Sequence, residues 1–170
     1  LAEQLGAEFD ALADSLLQAA PLDLRVNTLK AKRDAVLAQL QADGVRCAAT
    51  PHSPWGIRLE GKPALNNWPL FKDGSIEVQD EGSQLLAALL DAKRGELVAD
   101  FCAGAGGKTL ALGASMRNTG RLYAFDVAGH RLESLRPRLA RSGLSNVYPV
   151  QIAHERDERI KRLSGKLDRV

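Results

Sequence analysis

Ten residues, Asp100 to Thr109, read DFCAGAGGKT and carry the densest chemical signal in the chain. Gly104, Gly106 and Gly107 stand beside a Lys108-Thr109 pair, the composition of a loop that wraps a nucleotide. Glycines let a ligand approach the backbone closely, and a helix that starts after them offers unpaired amides to an anion. The spacing narrows the ligand. An ATP loop of the form GxxxxGK[ST] needs its first glycine at position 102, which holds Cys102. The dinucleotide pattern GxGxxG fits Gly104 and Gly106 but meets Thr109 at its third glycine. Further along, the strand-like RLYAFD ends in Asp126. A carboxylate at the tip of a second strand accepts hydrogen bonds from both hydroxyls of a ribose. A ribose held by an acid, and a carboxylate tail held by free amides, together describe S-adenosylmethionine (SAM). The competing reading is a tight strand-to-helix turn without ligand, with Asp126 as a helix cap.

The remaining reactive residues say less. Cys47 and Cys102 form no metal-ligand spacing and no disulfide framework, and a lone cysteine is usually a small buried apolar residue. No metal site is expected. The chain is 45% hydrophobic and 26% charged with a net charge of +2, as in a soluble globular protein. No apolar run approaches the roughly 18 residues of a membrane helix, and no leader-like start is present, so a cytoplasmic protein without membrane partners is expected. Charge is uneven: residues 1–22 carry four acids and no base, and residues 117–141 carry six arginines against Asp126 and Glu133. Such asymmetry fits either an RNA-facing side or a solvated helix face.

The elements that position these residues follow from periodicity. Leu1, Leu5, Phe9, Leu12 and Leu16 make the stripe of an amphipathic packing helix ending near Pro21. A strand at 23–29, a helix at 31–43 and short strands at Cys47 to Pro51 and Ile57 to Leu59 form a small unit. The following loop holds Trp68 and Phe71, which either stack on bases or tuck under the loop itself. From residue 79 the rhythm becomes helix, strand 96–101, glycine loop, helix 107–116, strand 121–126, helix 129–142 and strand 146–152. Pro137 inside the helix at 129–142 should kink it or mark its true start. Strands alternating with helices imply a parallel sheet covered on both faces. The expected division is an N-terminal helix over 1–22, closing a preceding helical region, a small domain over 23–75 and a nucleotide-binding domain over 76–170.

DFCAGAGGKT resembles motif I of the Nop/Sun family of RNA (cytosine-5) methyltransferases, usually D-x-C-A-A-P-G-G-K-T. VQDEGSQL, residues 78–85, is similar to that family's Q-D-x-x-S segment, and LRVNTLK, residues 24–30, looks like the R-x-N strand of its small RNA-binding domain. The order is right, and the likeness is greatest to the bacterial small-subunit ribosomal RNA branch.

The resemblance implies an α/β architecture: a Rossmann-like SAM-dependent methyltransferase sheet, incomplete here, preceded by a small α+β RNA-binding domain. It implies SAM as cofactor and RNA, ribosomal RNA above all, as partner. Cys102, Ala103, Gly104, Ala105, Gly106, Gly107 and Lys108 would wrap the cofactor, with Asp126 on the ribose and Arg131 at a basic position beside it. Gly104-Ala105 replaces the family's Ala-Pro, which loosens the unfolded loop but keeps it small. The family's adenine-side acid has no counterpart in Gln151-Ile152-Ala153-His154-Glu155. Arg25, Asn27 and Lys30 would contact RNA. Asp80 and Ser83 would line the pocket for a flipped cytosine or cap the helix at 84–90, with capping the better reading for Ser83. The family's two catalytic cysteines lie beyond the third strand, and neither Cys47 nor Cys102 matches them. The full protein is thus expected to methylate carbon 5 of cytosine, and these 170 residues alone to be inactive. The alternative is a non-catalytic RNA-binding protein with a vestigial SAM loop, and a third reading is a methyltransferase with another acceptor.

Overall fold

The computed structural model describes residues 2–170. Leu1, the first residue of the expected N-terminal stripe, lies outside them. The next residues form helices α1 (Ala2–Leu5) and α2 (Phe9–Leu17), separated by a turn of tighter helix at Gly6–Glu8. No residue in either helix is buried, and Leu16 and Leu17 are 76% and 86% exposed. The expected packing helix is therefore interrupted at Gly6, ends before Gln18, and keeps its apolar stripe in solvent.

The small domain is an antiparallel sheet in the order β2-β3-β1-β4, from β1 (Leu22–Val26), β2 (Cys47–Ala49), β3 (Gly56–Leu59) and β4 (Ile76–Val78). Helix α3 (Arg33–Ala42) packs Val36 and Leu40 against Leu24, Ile57 and Ile76. The loop after β3 folds into short α4 (Pro69–Lys72), and Trp68 and Phe71 pack on this core rather than standing free for bases. Strand β4 pairs Arg25 with Glu77, so this sheet runs past residue 75 to Val78.

Helix α5 (Glu81–Leu90) leads to the second sheet, which holds β5 (Leu97–Asp100), β6 (Arg121–Asp126) and β7 (Val147–Gln151), all parallel. Between them run α6 (Gly107–Ser115) and α7 (Gly129–Ser142). Val98, Leu122 and Ala124 have no exposed surface, as strands covered on both faces require. Leu132, Leu135 and Leu139 of α7 pack on one face. Short α8 (Glu158–Lys161) and the residues after it bring Ile160, Leu163 and Leu167 onto the other, against Ala99, Phe125 and Ile152. Helix α7 runs through Pro137 without a break. The proline's missing N–H leaves the carbonyl of exposed Glu133 to water.

After β7 the chain crosses back to the far side of β5. There Val98 bridges Arg169 in parallel, and the Asp168 and Ala99 amides donate to Leu97 and Arg169 carbonyls at 2.8 and 3.0 Å. Strand order therefore reverses at β5. In open α/β sheets such a switch point opens a crevice at the carboxyl ends of the strands, and the glycine loop begins at that end of β5.

Candidate cofactor site

The loop is held from four sides. At its start Asp100 Oδ2 accepts a hydrogen bond from Thr109 Oγ1 at 2.6 Å, tying the strand end to the first turn of α6. Thr109 is fully buried, so the hydroxyl beside the lysine serves the loop's own geometry. Ala103 N donates to Phe125 O at 2.9 Å, anchoring the loop to β6. Arg138 Nη1 donates to Ala105 O at 2.7 Å. Gly106 caps α6 with φ +84°, and a Cβ there would stand 2.2 Å from Leu135 Cδ1. Only glycine allows both that left-handed turn and that approach. The amides of Gly107, Lys108 and Thr109, the first turn of α6, consequently have no carbonyl within their own helix.

Asp126 ends β6 and is 5% exposed. Its Oδ2 accepts from Gly104 N at 2.7 Å and its Oδ1 from Ala128 N at 2.8 Å. Burial alone would raise this carboxyl. The Ala128 and Gly104 amides outweigh it, with help from the positive fields of Arg131 and His130, and the carboxyl sits below the ordinary aspartate range. Two acceptor positions on the ionised carboxylate remain, enough for a diol. Arg131, half-exposed, covers Asp126 at 4.0 Å and lies against Gly104, where an added Cβ would meet its Nη2 at 2.6 Å. The structure thus brings together Asp126, Arg131 and the residues 103–108; Cys102 stands at the exposed entrance of the loop.

Beyond β7, Asp157 Oδ2 accepts from Ala153 N at 3.0 Å and Oδ1 from Arg159 N at 2.9 Å, so this acid caps α8 and closes its own turn. Exposed His154 accepts from Arg156 N through Nδ1 within that turn. On the other side of the loop, Asp80 caps α5, accepting from Ser83 N at 2.9 Å. The capping residue is therefore Asp80, and Ser83 supplies the capped amide. The Asp80 carboxyl is held low first by its hydrogen bond to the Ser83 side chain, and Lys108 adds to the effect.

Of the residues expected to contact RNA, Arg25 and Asn27 are taken up inside the fold and Lys30 stays at the surface. Arg25 and Asn27 are 2% and 3% exposed. Arg25 Nε donates to Gln79 Oε1 at 2.6 Å, and burial pushes its guanidinium down to about 10, against the pull of Glu77 and with a push from Arg138. Asn27 Nδ2 donates to Gly74 O and Ser142 O at 3.1 and 2.9 Å, joining the small domain to the end of α7. Lys30 Nζ donates to Arg141 O at 2.6 Å and to Asp73 O, which caps the same helix end. Arg25 and Asn27 are thus turned into the junction between the two sheets, and Lys30 lies exposed at its rim.

Sequence reasoning missed the group at the centre of that junction. Glu77 on β4, 2% exposed, receives Arg138 at 2.9 Å and Arg141 at 2.7 Å. It also missed Gln79, whose buried Nε2 has no partner among the described residues. The alternation of Glu77 and Gln79 on one face of a strand was the available signal, hidden by a strand too short to be read. Among the described residues no group of His, Cys, Asp and Glu could hold a metal, and no helix is long and apolar enough to cross a membrane.

Comparison with known proteins agrees with this architecture. Residues 1–66 match the family described as the RsmF/B-like methyltransferase ferredoxin-like domain, and residues 87–170 match the 16S rRNA methyltransferase RsmB/F family. The chain is 36% identical over 142 residues to the probable ribosomal RNA small subunit methyltransferase B of Synechocystis, covering 83% of this chain and 32% of that protein. The Pseudomonas putida ribosomal RNA small subunit methyltransferase B is 37% identical over 121 residues, 71% of this chain and 28% of its own. A crystal structure of a methyltransferase homologue from Pyrococcus horikoshii superposes with a TM-score of 0.84 at 34% identity, over 96% of this chain and 53% of that one. The chain spans about a third of the length of the curated relatives it matches. A ferredoxin-like sheet, a strand-order reversal at β5 and a glycine loop braced by Asp126 and Arg138 occur here in the order of those matches, and the chain belongs to the RsmB/F methyltransferase family of the Nop/Sun group.

Proposed function

We propose that the protein of which this chain forms the substrate-recognition and cofactor part is a SAM-dependent RNA methyltransferase that modifies carbon 5 of cytosine in small-subunit ribosomal RNA. The observation that carries the cofactor half is the pairing of the free first-turn amides of α6 with Asp126 across the β5–β6 crevice. Those groups suit the two ends of SAM. The donor set is right for a carboxylate at the amides, and two vacant acceptor positions on Asp126 suit a ribose diol. Gly104 lets Arg131 close over the loop and Gly106 lets the start of α6 pack on Leu135, so both glycines set the shape of the cradle. Arg131 must move aside for the ribose to reach Asp126, and its half-exposed side chain is free to do so. When bound, SAM supplies the methyl group. The chain's own residues hold, orient and shield it. The ribosomal RNA substrate is inferred from the names of the relatives, and the cytosine-5 position from the resemblance of the motifs.

We further propose that these 170 residues alone transfer no methyl group. The chemistry at carbon 5 needs a thiolate nucleophile. Cys47 sits on β2 of the small domain with its thiol pushed up by burial, the wrong direction for a nucleophile. Cys102 belongs to the cofactor loop itself. A calorimetric titration with SAM, paired with an assay on unmodified ribosomal RNA and labelled SAM, tests both parts. The expected result is SAM binding without turnover. Absence of SAM binding by a folded chain favours the alternative, an RNA-binding protein with a vestigial loop; turnover by the chain overturns the proposal of inactivity.

A further inference from the structure

The side-chain amide of Gln79 is an anomaly. The residue is 7% exposed, and its Oε1 accepts from Arg25 Nε at 2.6 Å. That bond fixes which end of the amide points where. The nitrogen therefore faces the opposite way, toward the start of α6. It lies 3.6 Å from the place where a Cβ on Gly107 would stand, with the amide carbon further off at 4.0 Å. No acceptor meets it among the described residues. An unpartnered buried donor costs stability, so a folding role for Gln79 accounts for its oxygen and leaves its nitrogen unexplained.

The surroundings specify what is missing. The first-turn amides of Gly107 and Lys108 are donors without helical partners. Lys108 and Arg25 carry positive charge. The acids on this side are engaged elsewhere: Glu77 pairs with Arg138 and Arg141, and Asp80 turns its Oδ1 to Ser83 N. A neutral acceptor would answer one donor; a carboxylate, with about four acceptor positions, answers the amide nitrogen and the helix amides together and gains from the helix dipole. Gly107 keeps this approach clear, because a Cβ there would lie in van der Waals contact with the Gln79 amide.

We infer that Gln79, reaching over from the small-domain sheet, completes with the first turn of α6 a cup of donors for the amino-acid carboxylate of the methyl donor. This rests on the cofactor reading above and adds that the cofactor site spans both domains. Gln79 Nε2 forms the shielded wall of the cup, and the half-buried Gly107 and exposed Lys108 form its open side.

The test compares SAM with its decarboxylated form, which keeps the adenosine, sulfonium and amine. Binding of both is titrated to the 170-residue chain and to Gln79→Leu and Gln79→Glu. Gln79→Glu retains an acceptor for Arg25, so it stands in if the leucine variant fails to fold. The expected result is a loss of SAM affinity of roughly tenfold or more, larger for the glutamate, with the decarboxylated ligand unaffected. In the wild type, the Gln79 side-chain amide resonance should shift with SAM and stay in place with the decarboxylated form, a reading that needs no variant. Equal losses for both ligands, or a resonance indifferent to the carboxylate, overturn the inference and leave Gln79 as a brace for Arg25. Wild-type chain that binds neither ligand overturns the cofactor reading and this inference together.

Discussion

Arg138 grips Glu77 and the cofactor loop at once: its Nε and Nη2 donate to Glu77 Oε2 at 3.0 and 2.9 Å, while Nη1 donates to Ala105 O at 2.7 Å. Glu77 belongs to the small domain's edge strand and Arg138 to α7, which packs on the parallel sheet, so this one guanidinium ties the junction of the two domains to the loop. Arg141 closes the other oxygen of Glu77, and Arg25 stands opposite it on β1. A single carboxylate therefore balances three cations that are mostly shielded from water.

Removing that carboxylate should be severe. Glu77→Ala leaves the arginines facing one another without compensation, and breaking a buried pair from one side costs about 3–5 kcal/mol. Urea denaturation should show this loss. SAM affinity should fall as well, since Arg138 would no longer be held against Ala105. A variant within about 0.5 kcal/mol of wild type, the usual range of surface changes, would show that the cluster is solvated in solution.

Arg25 and Asn27 give the sharpest contrast between sequence and structure. A motif of charged and amide residues on a strand reads as a nucleic-acid surface, because such residues are seldom buried. Their burial depends on Glu77, Gln79 and Ser142, and nothing local in β1 announces those partners. The parallel sheet was more legible. The apolar run of β6, the 3.6-residue stripe of α7 and Gly143 at its C-terminal end are local signals, and the helix occupies 129–142 as read. The loop was legible too, because the glycine positions are local necessities. What holds it from below was not. The N-terminal stripe shows the converse failure, since periodicity states which face is apolar and not whether anything covers it.

If Arg25 serves the junction, Arg25→Ala should lower stability by roughly 1–3 kcal/mol through an unpartnered Gln79 oxygen and an under-compensated Glu77. The salt dependence of RNA binding should be unchanged in the variant that remains folded. A residue that touched phosphate would instead reduce the slope of log K against log salt by about one. Measuring the slope for wild type and variant separates the two roles.

Asp126→Ala should weaken SAM binding by roughly 1–3 kcal/mol, by leaving the ribose hydroxyls unpaired. The structure adds a second cost, because the same carboxylate holds Gly104 N and Ala128 N. Its folded-state pKa lies below the unfolded value of about 3.9. The stabilisation is therefore fully present above that value and is lost as pH falls through the lower, folded one. The stability gap between wild type and Asp126→Asn should be constant near neutrality and narrow below about pH 4. A gap that widened on acidification would mean the carboxylate is not ionised in the fold.

Gly106→Ala tests the loop without touching a charged group. At φ +84° an alanine carries the penalty of the left-handed region, about 1–2 kcal/mol. Its Cβ would stand 2.2 Å from Leu135 Cδ1, and Leu135 is fully buried among the residues beneath the loop, so it has little room to retreat. Overpacking of this kind costs a further 1–3 kcal/mol or so. The combined loss should lower the melting temperature measurably. SAM affinity should fall further than stability alone accounts for, because relief of the clash pushes Gly106 and the first-turn amides of α6 away from their present positions. Paired Leu135→Ala should restore part of the affinity by opening space for the methyl, while adding its own cavity cost to stability. Recovery of binding without recovery of stability would locate the effect of Gly106 in the geometry of the loop; failure of the second substitution to restore any binding would place it in the backbone angle alone.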